Sequence, residues 1–415
     1  MKPLLKDRQY YKFSLYGFLK NMRFFDAFFI LFLVEKGLPY TQIGILYAVR
    51  EIVINILEVP SGFAADTYGR KNALLGSFLA YIVSFIIFYL SGNFALFLLA
   101  FVFFGIGDAF RTGTHKAMIM DYLKLKGIED SKISYYGHTR SWSQMGSALS
   151  TLIAGVLVFY TGNYTNVFLY SVIPYLLNFG LIASYPRQLN YSSENLKEVA
   201  HFNLAETFKS FFTVIRYKNV IRIINTTSVH SAYLKAVKDY IQILMVQVVV
   251  LLPFFANVDQ EKKNGIFIGI VYFIIYLLTS RASAMSAYFS VRNKTNIALL
   301  TLLIGFGFGA VSGAFYLAEI PVWALVAFAG VFVVENIRKP ILTGFIAEEV
   351  PNTILASVIS AQSLVQTIMT AVIALAFGFL SDEFSVGFAF IFVSISLALL
   401  SIVLRIFFRD RTKVE

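Results

Sequence analysis

Stretches of about twenty mostly apolar residues recur along the chain, and no other feature limits its fold as strongly. A helix needs about 20 such residues to cross the hydrocarbon core of a bilayer. Within that core only segments that satisfy their own backbone hydrogen bonds are tolerated, so repeated runs of this length read as membrane helices. Six spans are expected near 14–35, 40–65, 72–91, 94–120, 136–160 and 165–185. Six more are expected near 219–241, 264–285, 295–317, 321–345, 355–380 and 386–407. The stretch Ile241–Val258 is also apolar, but it is short and holds Pro253, so it reads as an outer loop helix or an extension of the seventh span. Composition agrees: 58% of residues are hydrophobic and 14% charged, against roughly 45–50% and about 25% in soluble domains. An ordinary soluble enzyme, a disordered chain and a small disulfide-stapled domain are thereby excluded.

The net charge of +11 would suggest nucleic acid in a soluble protein. Here it fits the excess of Lys and Arg that cytoplasmic loops carry, and no nucleic-acid partner is expected. Of the basic residues outside the spans, only Lys36, Lys262 and Lys263 fall opposite the side of the N-terminus. Both termini are therefore expected in the cytoplasm of a multi-pass protein of the cell (inner) membrane. The start, with Lys2, Lys6, Arg8 and Lys12 and no small-residue cleavage site, gives no reason to expect a signal peptide.

A polar stretch splits the chain into two halves: an N-terminal six-helix bundle (1–185), a cytoplasmic linker (186–218) and a C-terminal six-helix bundle (219–415). Within the linker, Leu204–Arg216 has apolar residues near helical spacing, with Lys209 and Arg216 opposite. It reads as an amphipathic helix on the membrane surface. Two equal halves fit the repeat logic of secondary transporters, whose substrate site lies between the repeats.

One motif is specific. Gly62-Phe-Ala-Ala-Asp66-Thr-Tyr-Gly69-Arg70-Lys71 forms a tight hairpin between the second and third spans. Gly62 is expected to allow close helix approach, and Gly69 to take a backbone conformation that a Cβ would disfavour. Asp66 and Arg70 are spaced to form a charge-assisted pair. This decapeptide resembles the signature loop of the major facilitator superfamily, Gly-x-x-x-Asp-x-x-Gly-Arg-Lys. The preceding Glu58-Val-Pro60-Ser61 resembles a lead-in of drug-exporter-like branches. The resemblance implies an all-α membrane protein of twelve transmembrane helices in two six-helix bundles. It also implies a conformational latch in which Asp66 meets the start of the eleventh span and Arg70 pairs with an acid ending the fourth, Asp121. The equivalent loop of the second half, near Ala284–Asn293, keeps only Arg292, with Tyr288 and Val291 where the Asp and Gly would stand. The Gly-rich helix-5 antiporter signature is reduced to Gly146 and Gly155, without its Pro.

Ionisable residues inside spans are costly and mark function by default. Arg23, Arg50, Asp108, Arg111, Arg140 and Gln144 are the candidates for substrate binding, and Asp26, Glu51 and Glu58 for proton coupling. Arg23–Asp26 and Asp108–Arg111 are also spaced to pair within their own helices. Lys20, Lys116 and Arg140 are expected to snorkel toward the surface. In the second half, His230 reads as a packing residue, and Glu335 and Arg338 as an in-helix pair. The first half holds more bases than acids at depth, which points to a substrate with a negative group.

Enzyme chemistry has no foothold. There is no phosphate loop, Gly-x-Ser-x-Gly elbow or His-Glu-x-x-His motif, cysteine is absent and the four histidines are scattered. No cofactor or metal is expected. Gly305-Phe-Gly307-Phe-Gly309 lies inside the ninth span and reads as a packing feature. The expected function is secondary active transport of a small organic solute by alternating access, proton-coupled, with export favoured and a monomer as the unit. Proton-coupled uptake of an anionic metabolite or metal chelate is the alternative within transport, and a non-transporting receptor or scaffold the alternative outside it.

Overall fold

A computed structural model describes residues 6–128, 132–190, 218–252, 258–289, 294–349 and 355–407. The described residues form helices and no strand. In the first half these are α1 (Arg8–Lys20), α2 (Phe29–Glu35), α3 (Tyr40–Tyr68), α4 (Arg70–Leu90), α5 (Phe94–Arg111), α6 (Thr114–Leu125), α7 (Lys132–Thr161) and α8 (Asn166–Ala183). In the second they are α9 (Lys218–Val237), α10 (Ile241–Leu251), α11 (Gln260–Phe289), α12 (Lys294–Leu317), α13 (Pro321–Glu349), α14 (Leu355–Glu383) and α15 (Val386–Phe407). Among the described residues ten spans are long and apolar enough to cross a membrane, one of them Phe94–Leu125. The first and seventh expected spans are not among them. The first is broken, and α9 is made polar by Asn225, Thr226, Thr227, Ser228 and His230, all of them buried. A 3₁₀ turn at Lys238–Tyr240 joins α9 to α10, so Ile241–Leu251 extends the seventh span. Pro253 and the amphipathic segment Leu204–Arg216 lie outside the described residues.

The chain folds into two compact units. The first comprises Met1–Phe32, Val49–Phe202 and Phe255–Phe273. In it α4 packs on α5 and α8, and α1 on α7 and α8. Its core is a phenylalanine stack: Phe25 lies flat on Phe168 at 5.2 Å and Phe29 on Phe101 at 5.3 Å. Part of the chain's phenylalanine excess thus fills the bundle interior. In the same unit α7 meets α11 through glycines. A Cβ on Gly155 would sit 2.6 Å from the Gly265 carbonyl oxygen, a position no side chain can take while the two backbones touch.

The second unit comprises Leu33–Ala48, Asn203–Phe254 and Ile274–Glu415. In it α12 packs on α13 and α15, α9 on α14, and α10 on α13. The first residues of α3 belong here, and their free N–H groups are capped by Asp382 of α14. The Asp382 carboxylate accepts from Tyr40 N at 2.9 Å and from Thr41 N at 2.6 Å. Tyr47, about two turns on from Tyr40, donates to Asp239 at 2.7 Å.

Candidate functional site

The site begins where the first span breaks. Between α1 and α2, residues 21–28 leave the helix. Unwound backbone is tolerated at membrane depth only where neighbours satisfy its polar groups, and α8 does so. Tyr175 donates to the Lys20 carbonyl (3.0 Å), Ser171 Oγ accepts from Phe24 N (3.1 Å), and Asn21 Nδ2 donates to the Ser143 carbonyl (2.6 Å). Arg23, spaced to pair with Asp26, sits on this break. Its guanidinium donates to Tyr175 Oη at 2.8 Å and lies 3.6 Å from Asp108. Asp26 still acts on Arg23 electrostatically.

Asp108 is the hub. Its carboxylate accepts from Tyr81 Oη at 2.5 Å and from Arg111 at 3.0 Å, with Arg23 at 3.6 Å and Arg50 at 3.9 Å. Arg50 also lies 3.4 Å from Glu51, which is 2% exposed, and both Arg50 and Arg23 lie over the Phe104 ring. Tyr81 links the arginines from the other side, accepting from Arg111 Nε at 2.9 Å. Arg23, Arg50 and Arg111 thus face Asp108, Glu51 and Asp26, and the network is charge-balanced within itself. Tyr81 and Tyr175 were invisible to sequence reasoning, because a tyrosine in a span carries no sign of its partner.

Beside this network, inside the first unit, opens a cavity of about 380 Å³. Lys20, Arg111, Lys116 and Arg140 line it, with Asn21, Ser143 and Gln144 as polar neighbours and no carboxylate among its described lining residues. Lys116 and Arg140, expected to snorkel, are exposed, and Lys20 is half-buried. Of the sequence candidates for substrate binding, Arg111, Arg140 and Gln144 line the cavity. Arg23, Arg50 and Asp108 stand behind it. Arg111 belongs to both, because α5 ends at it: Gly113, at φ +84°, breaks the helix before α6. His115 follows the break and stacks on Tyr16 with ring centroids 3.6 Å apart.

The hairpin after α3 has the geometry its letters suggest. Gly69 sits at φ +98°, in the region where a Cβ is strained. Arg70 lies 3.2 Å from Asp66 and forms a second, close ion pair with Asp121 of α6. Lys71 donates to the carbonyls of Ala183 and Tyr185 at the end of α8, where cations are favoured. Asn190, not singled out in the sequence, receives Arg70 N on its carbonyl and Lys71 N on its side chain. One expectation fails: Gly62 is exposed and a Cβ there would meet nothing within 4 Å, so it permits no close helix approach. Glu58 is exposed, and the hydroxyl of Ser61 donates to its carbonyl. The eleventh span starts at Leu355, as expected, in α14; residues 350–354 before it, and Val291 and Arg292 of the second hairpin, lie outside the described residues.

In the second unit the expected in-helix pair does not form. Glu335 turns to His230, whose Nδ1 lies 2.7 Å away, and to Ser231 Oγ at 2.5 Å. Arg338 is 1% exposed and donates to the carbonyls of Ala298 and Thr226 and to Thr301 Oγ1. His230 is therefore a paired group and not only a packing residue. The Gly305–Gly309 run makes room for it and for Tyr233: a Cβ at Gly305 would collide with the His230 imidazole, and one at Gly309 with the Tyr233 hydroxyl.

Comparison with known proteins accords with this architecture. A protein of Bacillus subtilis (strain 168) named "Uncharacterized MFS-type transporter YxaM" is 23% identical over 391 residues, covering 91% of this chain and 90% of the relative. The solved nucleoside transporter NupG superposes with a TM-score of 0.75 at 11% identity, over 96% of this chain and 99% of NupG. A D-xylose-proton symporter superposes at 0.68 with 13% identity, over 95% and 96% of the two chains. A POT family transporter in complex with a thioalcohol-conjugated peptide superposes at 0.65 with 14% identity, over 96% of each chain. These likenesses are of fold. The Major Facilitator Superfamily profile matches residues 17–374. The chain belongs to the Major Facilitator Superfamily: it is a multi-pass secondary transporter of a small molecule, not an enzyme.

Proposed function

We propose that the chain carries an organic anion by alternating access, coupled to protons, with export as the direction favoured by the Glu58–Ser61 lead-in. The observation that carries this reading is the charge of the cavity. Lys20, Lys116 and Arg140 line it with no carboxylate among its described lining residues, while Arg111, which also lines it, is matched with Arg23 and Arg50 by Asp108, Glu51 and Asp26. Like charges gathered around one cavity disfavour one another, and a carboxylate or phosphate that enters with the substrate supplies a counter-charge. A guanidinium at Arg111 or Arg140 can hold such a group through two parallel hydrogen bonds.

Within this reading the two halves, 1–185 and 219–415, rock about the site, with 186–218 as the cytoplasmic linker and both termini in the cytoplasm of the cell membrane. Asp66, Gly69, Arg70, Lys71 and Asp121 form the latch, supported by the ion pairs of Arg70. Among the proton-coupling candidates, the burial of Glu51 beside Arg50 favours it over the exposed Glu58. The protein works as a monomer. The test is a melting screen of purified protein against benzoate, malate and glucose 6-phosphate, with neutral sugars and nucleosides and cationic amines alongside. Anything that binds the folded state raises its melting temperature. Anions should stabilise the wild type and lose that effect in Arg111→Ala and Arg140→Ala; stabilisation by neutral or cationic compounds alone rejects the reading.

A further inference from the structure

We infer that His230 and Glu335 form a second proton-binding site, in the half of the chain that the sequence marks as poor in charge. Both residues are buried, at 1% exposure each. The separation of 2.7 Å between His230 Nδ1 and Glu335 Oε2 requires a shared proton. With that proton on Nδ1 the imidazole donates to the carboxylate, and Ser231 Oγ donates to the other carboxylate oxygen at 2.5 Å. Nε2 then carries a lone pair. It is buried and has no hydrogen-bond partner among the described residues. In this form the pair carries the charge of the buried Glu335 carboxylate beside a neutral ring; a proton on Nε2 makes it an imidazolium–carboxylate pair, neutral overall, and a buried charge is costly unless paired.

The surroundings suit a proton and little else. Nε2 faces the backbone of α12 at Gly305, where even a methyl group would collide with the ring. Phe306 of α12 and Tyr233 of α9 close the sides, with ring centroids 5.6 Å and 6.3 Å from the imidazole. The charged groups that act on His230 all come from α13. They are Glu335, Arg338, which is tied to carbonyls and Thr301, and Lys339. Lys339 is the outward connection: its side chain is 60% exposed, and its Nζ lies 3.8 Å from Glu335. From α14, Gln362 contributes its backbone carbonyl to Ser228; from α15, Ser394 contributes a hydroxyl to Tyr233. Neither element adds a charge beside the imidazole.

Loading is a simple addition. A proton joins Nε2, the imidazole becomes imidazolium, and the pair gains one positive charge. Unloading returns the proton and restores the Nδ1–H donor to Glu335. Because Gly305 seals Nε2 in this conformation, exchange requires α12 to move relative to α9, which is how a transport cycle would gate it. A purely structural pair would have no use for the titratable atom left open, and apolar side chains of similar volume are often as stable as a buried ion pair.

The proposal rests on the proton-coupled reading, and the test separates the two. Protein in lipid nanodiscs is labelled with [¹³Cε1,¹⁵N]histidine. His230 is assigned by its loss in His230→Gln or, if that variant does not fold, by elimination with His115→Gln, His138→Gln and His201→Gln. Between pH 5 and 9 the wild-type His230 signals should pass through one protonation step. Glu335→Gln should move that step by about one pH unit or more, roughly tenfold in proton affinity. Signals fixed in one neutral form across the range overturn the site. In pyranine-loaded proteoliposomes given the same three anions, wild-type proton movement should be lost in His230→Gln and Glu335→Gln. Movement that survives in both folded variants also overturns the site. Titration without proton movement in the wild type contradicts the proton-coupled reading instead.

Discussion

Replacing Asp108 by Asn keeps the shape of the hub and removes its charge. In the wild type this carboxylate is 7% exposed and faces Arg111 at 3.0 Å, Arg23 at 3.6 Å and Arg50 at 3.9 Å. Removing one partner of a buried ion pair costs about 3–5 kcal/mol, because the other charge stays buried without compensation. Two contacts are longer than a hydrogen bond, and two arginines have other partners, Tyr175 for Arg23 and Glu51 for Arg50. The loss should therefore fall near the lower end, about 3 kcal/mol, with Arg111 as the residue most affected. Thermal unfolding in detergent reads the loss. A double-mutant cycle with Arg111→Gln isolates the direct coupling, expected at about 1–3 kcal/mol for groups in contact. An Asp108→Asn protein that melts with the wild type, or a cycle that closes to zero, would refute the hub.

Three further outcomes follow from the same geometry. Arg70→Gln and Asp121→Asn should impair anion exchange in proteoliposomes more than Asp66→Asn does. The Asp66 side chain is 46% exposed, and exposed pairs contribute at most about 1 kcal/mol; equal exchange in all three removes the latch from the mechanism. Asp382→Ala strips the cap from α3 and should lower stability by about 0.5–2 kcal/mol in denaturation, with Asp382→Asn milder. Gly155→Val forces a side chain into the Gly265 backbone and should cost about 1–3 kcal/mol or prevent folding; a wild-type melting curve would mean that α7 and α11 do not approach this closely.

The hairpin was legible because its information is local. Gly69, Arg70 and Asp66 lie within one turn of chain, and a positive φ at Gly69 and an ion pair four residues long follow from spacing alone. Asp121 took the resemblance as well, since it stands 51 residues from Arg70. The break in the first span was not legible. Lys20, Asn21 and Arg23 hint at polarity, but the groups that permit unwinding are Ser171 and Tyr175, about 150 residues away. The same holds for His230 and Glu335, separated by 105 residues. Periodicity shows each helix its own face and says nothing of which helix it meets. The excess of base in the first half could be counted from the sequence. Dividing it into a matched arginine network and a basic cavity required knowing that Lys20, Lys116 and Arg140 line one cavity.

The central claim is that this cavity receives an anion. Equilibrium binding of the anion that best stabilises the wild type, measured calorimetrically on wild type, Arg111→Ala and Arg140→Ala, tests it most directly. Removing one charge-assisted contact of about 1.5–3 kcal/mol should weaken binding by roughly tenfold or more in each variant while both remain folded. Unchanged affinity in both folded variants would contradict the claim.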